Sequence, residues 1–366
     1  MSDHSSVNAI GYMGRRAFLR LSASTAAGFA LIGCVAGAEQ RNKSGPRLVT
    51  TLGDLGLPDT GLILPHEHIV LAGPQSDPGE PVQIEDMADV MQPELERARA
   101  AGVAVLVDAG TPSLGRRADM IVAASQAARL PVVVPTGFYL DPTIPEWARA
   151  ASEEQLRDWM VGELLDGIEQ ADVKAGWIKL AASDNGLTEL ERKCLRAAAR
   201  AGAATNATIG LHCLSGVVAR DALDTVERIG YPSNRFVWIH ADFEFLADAD
   251  RQPLWGLREE LARRGAWVEF DEIGLPVPQG GDATHTDMIH IDLIQHMLDT
   301  GHGDRVLLSM DSGWYTPQQS DCQPRCNGYT YLSETFLPKL RKSGVDDATV
   351  DKLTRENPFH AFARRS

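Results

Sequence analysis

The sequence is short of positive charge. Its 366 residues include 35 lysines and arginines against 50 aspartates and glutamates, which gives a formal net charge of −15 at pH 7. A protein that binds nucleic acid needs a basic surface to displace counterions from phosphates. This balance argues against nucleic acid as a partner, and it leaves the class of small-molecule substrate open.

Long apolar runs are missing after residue 40, where no stretch is apolar and long enough to cross a bilayer. The chain also has no internal repeat and no Gly-x-Gly-x-x-Gly after an early strand, which disfavours a dinucleotide-binding open sheet. Hydrophobic residues make up 44% of the chain and charged residues 23%, as in globular proteins with a large core.

Cysteine is scarce, with five residues and no C-x-x-C zinc pattern. Two of them, Cys322 and Cys326, are separated by three residues in a loop-like stretch. In an oxidising compartment this pair either forms a disulfide or remains as two free thiols. The sequence leaves both alternatives open.

The first forty residues have the layout of an export signal. Arg15 and Arg16 form a twin-arginine head, and a short apolar run follows from residue 23 to residue 33. We therefore expect export by the twin-arginine machinery to the periplasm. The predicted organisation is a signal in residues 1–40 and a single domain in residues 41–366.

The end of this segment allows two mature forms. The tetrapeptide "LIGC" at residues 31–34 resembles a lipobox, which predicts a lipid anchor on Cys34 as the protein's one contact with the membrane. Cleavage after Ala38 would instead release a soluble periplasmic protein.

From residue 60 onward, short apolar runs alternate with longer amphipathic stretches. The strand-like runs are 61–66, 103–110, 131–137, 176–182, 207–213, 235–240, 266–271 and 305–311. Helix candidates such as 87–102 and 188–202 each end in a glycine after basic residues, as helix C-termini prefer. Eight such units predict an α/β fold, a (β/α)8 TIM barrel, in preference to an open doubly wound sheet.

Side chains of the metal-ligand type end five of the predicted strands. They are His66 and His68 on the first, Lys179 on the fourth, His212 on the fifth, His240 on the sixth and Asp311 on the eighth. The C-terminal ends of barrel strands meet at one rim, so these six side chains are expected to lie together. Imidazole and carboxylate groups suit zinc and similar divalent ions.

Four histidines and one aspartate are too many ligands for one catalytic ion with an open position, and they suit a pair of ions about 3.5–4 Å apart. Zinc is the default metal, with manganese, cobalt or iron as alternatives. Lys179 lies between Ile178 and Leu180, where burial lowers an amine's pKa. The neutral amine can capture CO2 to form a carbamate that bridges both ions. The alternative is a lysine paired with a nearby acid.

The constellation resembles the phosphotriesterase family of the amidohydrolase superfamily, over about residues 48 to 365. The motifs that carry the resemblance are "GLILPHEHI", "GWIKLAAS", "GLHC", "WIHAD", "RVLLSMDSGW" and "RENPFHAF". It implies a metal-dependent hydrolase with a carboxylated lysine bridge and a homodimeric assembly. His66, His68 and Asp311 would hold the more buried ion, and His212 and His240 the more exposed one. Pro65 departs from the family pattern without affecting a ligand.

The expected chemistry is attack by a hydroxide that bridges the two metals, with Asp311 accepting the proton released on attack. Asp242 follows His240 by two residues and would either relay that proton or orient a ligand. Phe138, Tyr139, Trp314 and His285 lie in loops after predicted strands and are the candidate pocket residues. His290 and His296 are expected at the surface of the following helix.

We therefore predict a hydrolase of lactones or carboxylic esters. Hydrolysis of organophosphate triesters is the alternative, because the same metal site serves both reactions. An alternative of another class is an inactive, lipid-anchored binding protein.

Overall fold

The computed structural model describes residues 45–70, 84–168, 171–244, 255–275, 283–315 and 328–365. Residues from Ser44 to Ser366 form one unit. Within the described ranges, no helix is long and apolar enough to span a membrane. The export segment with Cys34 and the pair Cys322 and Cys326 lie outside the described residues, so the statements about them remain predictions.

All strand pairs are parallel, and every pair except that of β1 with β10 joins strands that are consecutive along the chain. Their bounds are β1 (Leu62–Val70), β2 (Val103–Asp108), β3 (Val132–Val133), β4 (Pro135–Gly137), β5 (Trp177–Ala181), β6 (Ile209–His212), β7 (Phe236–Ile239), β8 (Trp267–Phe270), β9 (Val306–Leu308) and β10 (Gly313–Tyr315). Seven predicted runs contain a strand, and the run 131–137 contains both β3 and β4; the run 61–66 covers only the first part of β1, and no run covers β10.

Two short interruptions divide the wall into two hydrogen-bonded sheets, β10-β1-β2-β3 and β4-β5-β6-β7-β8-β9. Strands β3 and β4 are halves of one extended segment, since only Val134 separates them. Residues 309–312 separate β9 from β10, and β10 pairs with β1 through His68 opposite Gly313. The wall therefore closes into eight parallel positions, which confirms the predicted (β/α)8 barrel.

Helices follow the strands and cover the outside of the wall. Their bounds are α1 (Ile84–Ala100), α2 (Ala118–Ala128), α3 (Glu146–Ala150), α4 (Glu153–Leu165), α5 (Glu189–Thr205), α6 (Gly216–Arg228), α7 (Trp255–Arg264), α8 (Ala283–Asp299), α9 (Leu337–Lys342), α10 (Asp347–Asp351) and α11 (Asn357–Phe362). Helix α5 begins where Thr188 accepts a hydrogen bond from the backbone N–H of Glu191, as an N-cap should.

The N-terminal end of the barrel is filled by apolar side chains. Trp177 of β5 meets Phe362 of α11 edge to face, with ring centroids 5.1 Å apart. Asn357 fixes α11 beneath the barrel, because its side-chain amide donates to the carbonyls of Gly303 at 2.9 Å and Val306 at 2.8 Å. This packing accounts for the "RENPFHAF" motif, and it leaves the opposite mouth to the polar residues.

The predicted end of α5 at Gly202 is wrong. The helix continues to Thr205 and ends at Asn206, which adopts the left-handed conformation with φ of 60°. Gly202 lies inside the helix, where a Cβ atom would come within 2.7 Å of the Tyr231 ring. The glycine is explained by close packing and not by a helix stop.

Candidate metal centre

A pocket of about 200 Å³ opens at the C-terminal ends of the strands. All six predicted ligands line it, together with Leu114 and Tyr139. The alternating direction of strand side chains brings both His66 and His68 to the inside of β1. Both histidines lie within the strand and not at its end, because β1 continues to Val70.

The two β1 histidines share one carboxylate. Asp311 Oδ1 lies 3.4 Å from His66 Nε2 and 3.2 Å from His68 Nε2. Burial alone would favour the protonated acid, but His66 and His68 hold the pKa of Asp311 well below its usual range. Asp311 is therefore ionised beside two ring nitrogens, as a metal-binding carboxylate must be.

Lys179 is enclosed in the same pocket, with 1% of its surface exposed. Its Nζ lies 3.2 Å from His66 Nε2. Burial lowers the pKa of Lys179 to about 8, against opposing effects from Asp311 and Glu269. An appreciable fraction of this amine is therefore neutral near pH 8.

One carboxylate orients two histidines from different strands. Asp271, directly after β8, places Oδ2 at 3.0 Å from His66 Nδ1 and Oδ1 at 2.8 Å from His240 Nδ1. A carboxylate only accepts hydrogen bonds, so both Nδ1 atoms carry a proton, and the neutral His66 ring keeps a free lone pair on Nε2. Asp271 is not among the predicted site residues, although it ends the seventh predicted strand-like run and could have been found by that position.

The local pKa shifts agree with this arrangement. Burial opposes ionisation of Asp271, yet His240 and His66 hold its pKa well below the usual range. Burial also opposes protonation of His240, but Asp271 outweighs it and raises the His240 pKa. Burial lowers the pKa of His66 to about 3, which keeps that ring neutral.

His212 forms the more open side of the site. It is half-buried at the end of β6, and its ring centroid lies 4.5 Å from that of His240. Burial lowers the pKa of His212 well below its ordinary value, so this ring is also neutral. The Tyr139 hydroxyl lies 3.2 Å from His212 Nε2, which places Tyr139 in the pocket wall as predicted.

The backbone is strained at two of the candidate ligands. His240 has φ of 62° and Asp311 has φ of 46°, in the left-handed region that side chains other than glycine rarely adopt. His240 directly follows β7, and its backbone N–H donates to Asp271 Oδ2 at 3.2 Å. The surrounding hydrogen bonds hold a conformation that costs of order 1–3 kcal/mol at each residue.

Glu67, the residue between the two β1 histidines, anchors the barrel seam. Its buried carboxylate accepts hydrogen bonds from Ser309 Oγ at 2.8 Å, from Met310 N at 3.2 Å and from Ser312 N at 2.7 Å. These bonds fix the segment that carries Asp311 against the strand that carries the histidines. The alternation of strand side chains indicates that Glu67 points away from the pocket, although the sequence analysis gave it no role.

Two further glutamates were also missed. Glu269 Oε2 lies 3.3 Å from His66 Nδ1, while Glu269 Oε1 is buried without a hydrogen-bond partner. Burial, followed by the Asp271 charge, raises the pKa of Glu269 well above its usual value. Glu272 approaches from the other side, where its ligand atom lies within 4.8 Å of those of His240 and Asp311. No spacing pattern in the sequence distinguished these two acids.

Asp242 lies beside the site and not among its ligands. Its Oδ2 accepts hydrogen bonds from Glu272 N at 2.9 Å and from His290 Nε2 at 2.8 Å. His290 is fully buried on α8, so the expected surface position is wrong; the helix turns this ring inward onto Asp242. His296 is half-buried against Trp255, at 3.8 Å between ring centroids. The catalytic role of Asp242 remains a prediction.

The expectation that Phe138 lines the pocket is wrong. Phe138 is fully buried and packs against Trp159 at 5.0 Å and Trp147 at 5.7 Å between ring centroids. Because neighbouring side chains leave the extended chain on opposite sides, Tyr139 takes the pocket side and Phe138 the helix side. The structure describes the backbone of His285 and Trp314 but not their side chains, so their place in the pocket stays a prediction.

The residues present fit divalent metal ions. The ligand atoms of His66, His68 and Asp311 lie within 4.8 Å of one another. Neutral imidazole nitrogens beside an ionised carboxylate are the donor set that zinc and related ions take in proteins. The Asp271 hydrogen bonds add the carboxylate support that metal-binding histidines generally have.

The sequence matches the phosphotriesterase family over residues 46–362. The chain belongs to the phosphotriesterase family. It is 29% identical over 305 residues to a phosphotriesterase homology protein of Escherichia coli K12, covering 83% of this chain and 98% of the relative. It is 26% identical over 284 residues to N-acetyltaurine hydrolase of Homo sapiens, covering 76% of this chain and 78% of the relative.

Solved structures of related proteins have the same fold. The crystal structure of the Escherichia coli phosphotriesterase homology protein, complexed with phosphate in its active site, has a TM-score of 0.68 at 27% identity, covering 83% of this chain and 99% of that chain. A structure from the engineering of organophosphate hydrolysis on a weak promiscuous lactonase has a TM-score of 0.75 at 25% identity, covering 86% and 99%. Phosphotriesterase family members are hydrolases and typically use two metal ions.

The replacement Asp271→Asn should weaken metal binding by about 10–100-fold, because the amide can no longer accept from both Nδ1–H groups. Metal retention during dialysis against a graded chelator series measures this. Asp292→Asn removes an exposed carboxylate from α8 and serves as the matched control. Equal metal retention by Asp271→Asn and wild type would show that Asp271 does not support the ligands.

Proposed function

We propose that this protein is a binuclear metal-dependent hydrolase that acts on lactones or carboxylic esters. The observation that carries the proposal is the inward-facing donor set, in which Asp271 holds His66 and His240 through their Nδ1 atoms beside ionised Asp311. His68, His212 and Lys179 complete the lining around the same pocket.

Two divalent ions, of which zinc is the default, would supply Lewis acidity at this site and a hydroxide nucleophile near neutral pH. His66, His68 and Asp311 would hold one ion, and His212 and His240 the other. Asp311 is held ionised and lines the pocket, so it is placed to accept the proton released as the nucleophile attacks.

The pocket lining favours uncharged substrates. Among the described residues that line it, Lys179 is the only lysine or arginine, and that amine is enclosed beside His66. No arginine and no further lysine in this described lining remains to pair with a sulfonate or carboxylate group. Leu114 and Tyr139 offer an apolar contact and one hydroxyl, which suits a lactone, an aryl ester or a neutral phosphotriester.

Phosphotriester hydrolysis is the second candidate, because a neutral triester satisfies the same lining. A lactonase-derived structure engineered towards organophosphate hydrolysis shares this fold at 25% identity. Lactones and esters are the first choice because they are common natural compounds.

A substrate panel tests the proposal. For the metal-loaded protein we expect kcat/KM to be highest for an acyl-homoserine lactone, a δ-lactone or an aryl ester, lower for paraoxon, and lowest for N-acetyltaurine, whose sulfonate meets no lysine or arginine other than Lys179 in the described part of the lining. Asp311→Asn should retain at least one metal ion and lose most of the turnover.

His296→Gln, a histidine change outside the pocket, is the control variant for the panel. Metal content below about one ion per chain, with no hydrolysis across the panel, would support the inactive binding protein instead. A kcat/KM for paraoxon above those of all the esters would favour the phosphotriesterase.

We further propose that Lys179 carries a carbamate that bridges the two ions. Its burial and its pKa of about 8 support this, because a neutral amine adds to CO2 and then loses a proton. Protein prepared with ¹³C-labelled bicarbonate should show one carbamate carbon resonance that is missing in Lys179→Gln. An identical spectrum from Lys179→Gln would place the carbamate elsewhere, and a wild-type spectrum without the resonance would reject it.

We propose that the protein is exported to the periplasm by the twin-arginine machinery and anchored through a lipid on Cys34. The paired arginines and the "LIGC" sequence support this proposal. Mass spectrometry of the mature N-terminus should find an acylated Cys34, and Cys34→Ala should release the protein from membranes. An unmodified N-terminus at Glu39 would instead identify the soluble form.

A further inference from the structure

A second pocket, of about 150 Å³, lies at the N-terminal side of the barrel. Lys174 lines it just before β5 begins at Trp177, and Arg47 lines it ahead of β1. Arg364 lines it from the C-terminal segment, whose backbone pairs with that of Arg47. The pocket is therefore separate from the metal centre, which lies at the opposite ends of the strands.

Arg364 is the unusual group in this pocket. Only 5% of its surface is exposed. Its Nη2 donates to the carbonyls of Leu164 at 2.6 Å and Ala175 at 3.2 Å, while its Nε is buried with no hydrogen-bond partner. No carboxylate of the described residues forms an ion pair with it. A buried guanidinium without a counter-charge is costly, and natural proteins usually pair such a group.

The side chains around Arg364 are mostly cationic as well. The lining brings together three cationic side chains, Arg47, Lys174 and Arg364, with Asp54 as its one carboxylate. Burial lowers the pKa of Arg364; the Asp54 charge opposes this effect, and Arg235 adds to it. This concentration of positive charge is found in a chain whose net charge is −15.

We propose that this pocket binds a small oxyanion of the phosphate type. Its size is below the roughly 300–1,000 Å³ of pockets for drug-sized ligands, so it suits a single tetrahedral group. Guanidinium groups match phosphate oxygens in geometry, and a lysine adds a mobile point charge. The bound anion would supply a direct partner for the Arg364 guanidinium, whose Nε has none, and would balance the three cations that Asp54 alone faces in the lining.

Free phosphate and an anionic phospholipid headgroup offer the same chemistry. Arg47 follows Cys34 by 13 positions in the sequence. An extended chain of that length spans at most about 45 Å, so an anchor on Cys34 would keep this pocket near the membrane surface. The headgroup source rests on the proposed lipid anchor, whereas binding of free phosphate does not.

Calorimetric titration of the metal-loaded protein with inorganic phosphate, at constant ionic strength, tests the proposal. Lys174→Ala should weaken one phosphate site by about fivefold, as expected for an exposed charge. Arg364→Gln should weaken it by about tenfold or more. Lys342→Ala removes an exposed lysine from α9, far along the chain from the pocket residues, and should leave binding unchanged.

Phosphate at the metal centre is distinguished by its competition with ester substrate. Its inhibition constant should be the same in Lys174→Ala and wild type. Unchanged phosphate binding in both Lys174→Ala and Arg364→Gln would overturn the proposal, as would a single phosphate site that accounts fully for the inhibition. Lys174→Ala keeps the test valid if Arg364→Gln does not fold, and the binding comparison does not require the proposed activity.

Binding of the Cys34→Ala variant to vesicles distinguishes an anionic phospholipid headgroup from free phosphate as the ligand. Binding to phosphatidylglycerol vesicles that is absent with phosphatidylcholine and reduced by Lys174→Ala would support the headgroup. Phosphate binding without vesicle binding would support the free anion. Failure of both phosphate and phosphatidylglycerol to bind would reject the site.

Discussion

The pair of hydrogen bonds made by Asp271 is the interaction on which the candidate metal centre depends. One carboxylate, directly after β8, receives the Nδ1 protons of His66 on β1 and of His240 directly after β7. The arrangement holds both rings through Nδ1, so a metal ion would be bound through Nε2. Because Asp271 is fully buried, this orientation is imposed by the fold and not by solvent.

The barrel interior has an apolar end and a polar end, and this division allows the Asp271 carboxylate to be buried beside the histidines. The N-terminal end holds an apolar layer around Trp177 and Phe362, which provides the burial that stabilises the barrel. The C-terminal mouth can then hold a cluster of ionisable groups that is unfavourable without a bound cation. Strained backbone at His240 and Asp311, and the Glu67 hydrogen bonds across the barrel seam, belong to the same arrangement. Positioning of the ligands is therefore distributed over residues that never face the pocket.

Much of the fold and the ligand set could be predicted from the sequence. Strand periodicity gave eight apolar runs, and the strand-end rule for barrels gathered His66, Lys179 and His240 at one rim. The supporting residues were harder to predict, because Asp271 and Glu67 act through contacts across more than 200 residues in some cases. The predicted helix end at Gly202 and the predicted pocket position of Phe138 were wrong for a related reason. Packing against Tyr231 explains Gly202, as packing against two tryptophans explains Phe138, and neither contact is local in sequence.

The most direct test of the account is anomalous diffraction from crystals of the metal-loaded protein, measured at the absorption edge of the bound metal. Two peaks about 3.5–4 Å apart are expected in the pocket, between the His66, His68 and Asp311 group and the His212 and His240 group. Absence of any peak in this pocket, with the six side chains placed as described, would contradict the central claim that they form a binuclear metal site.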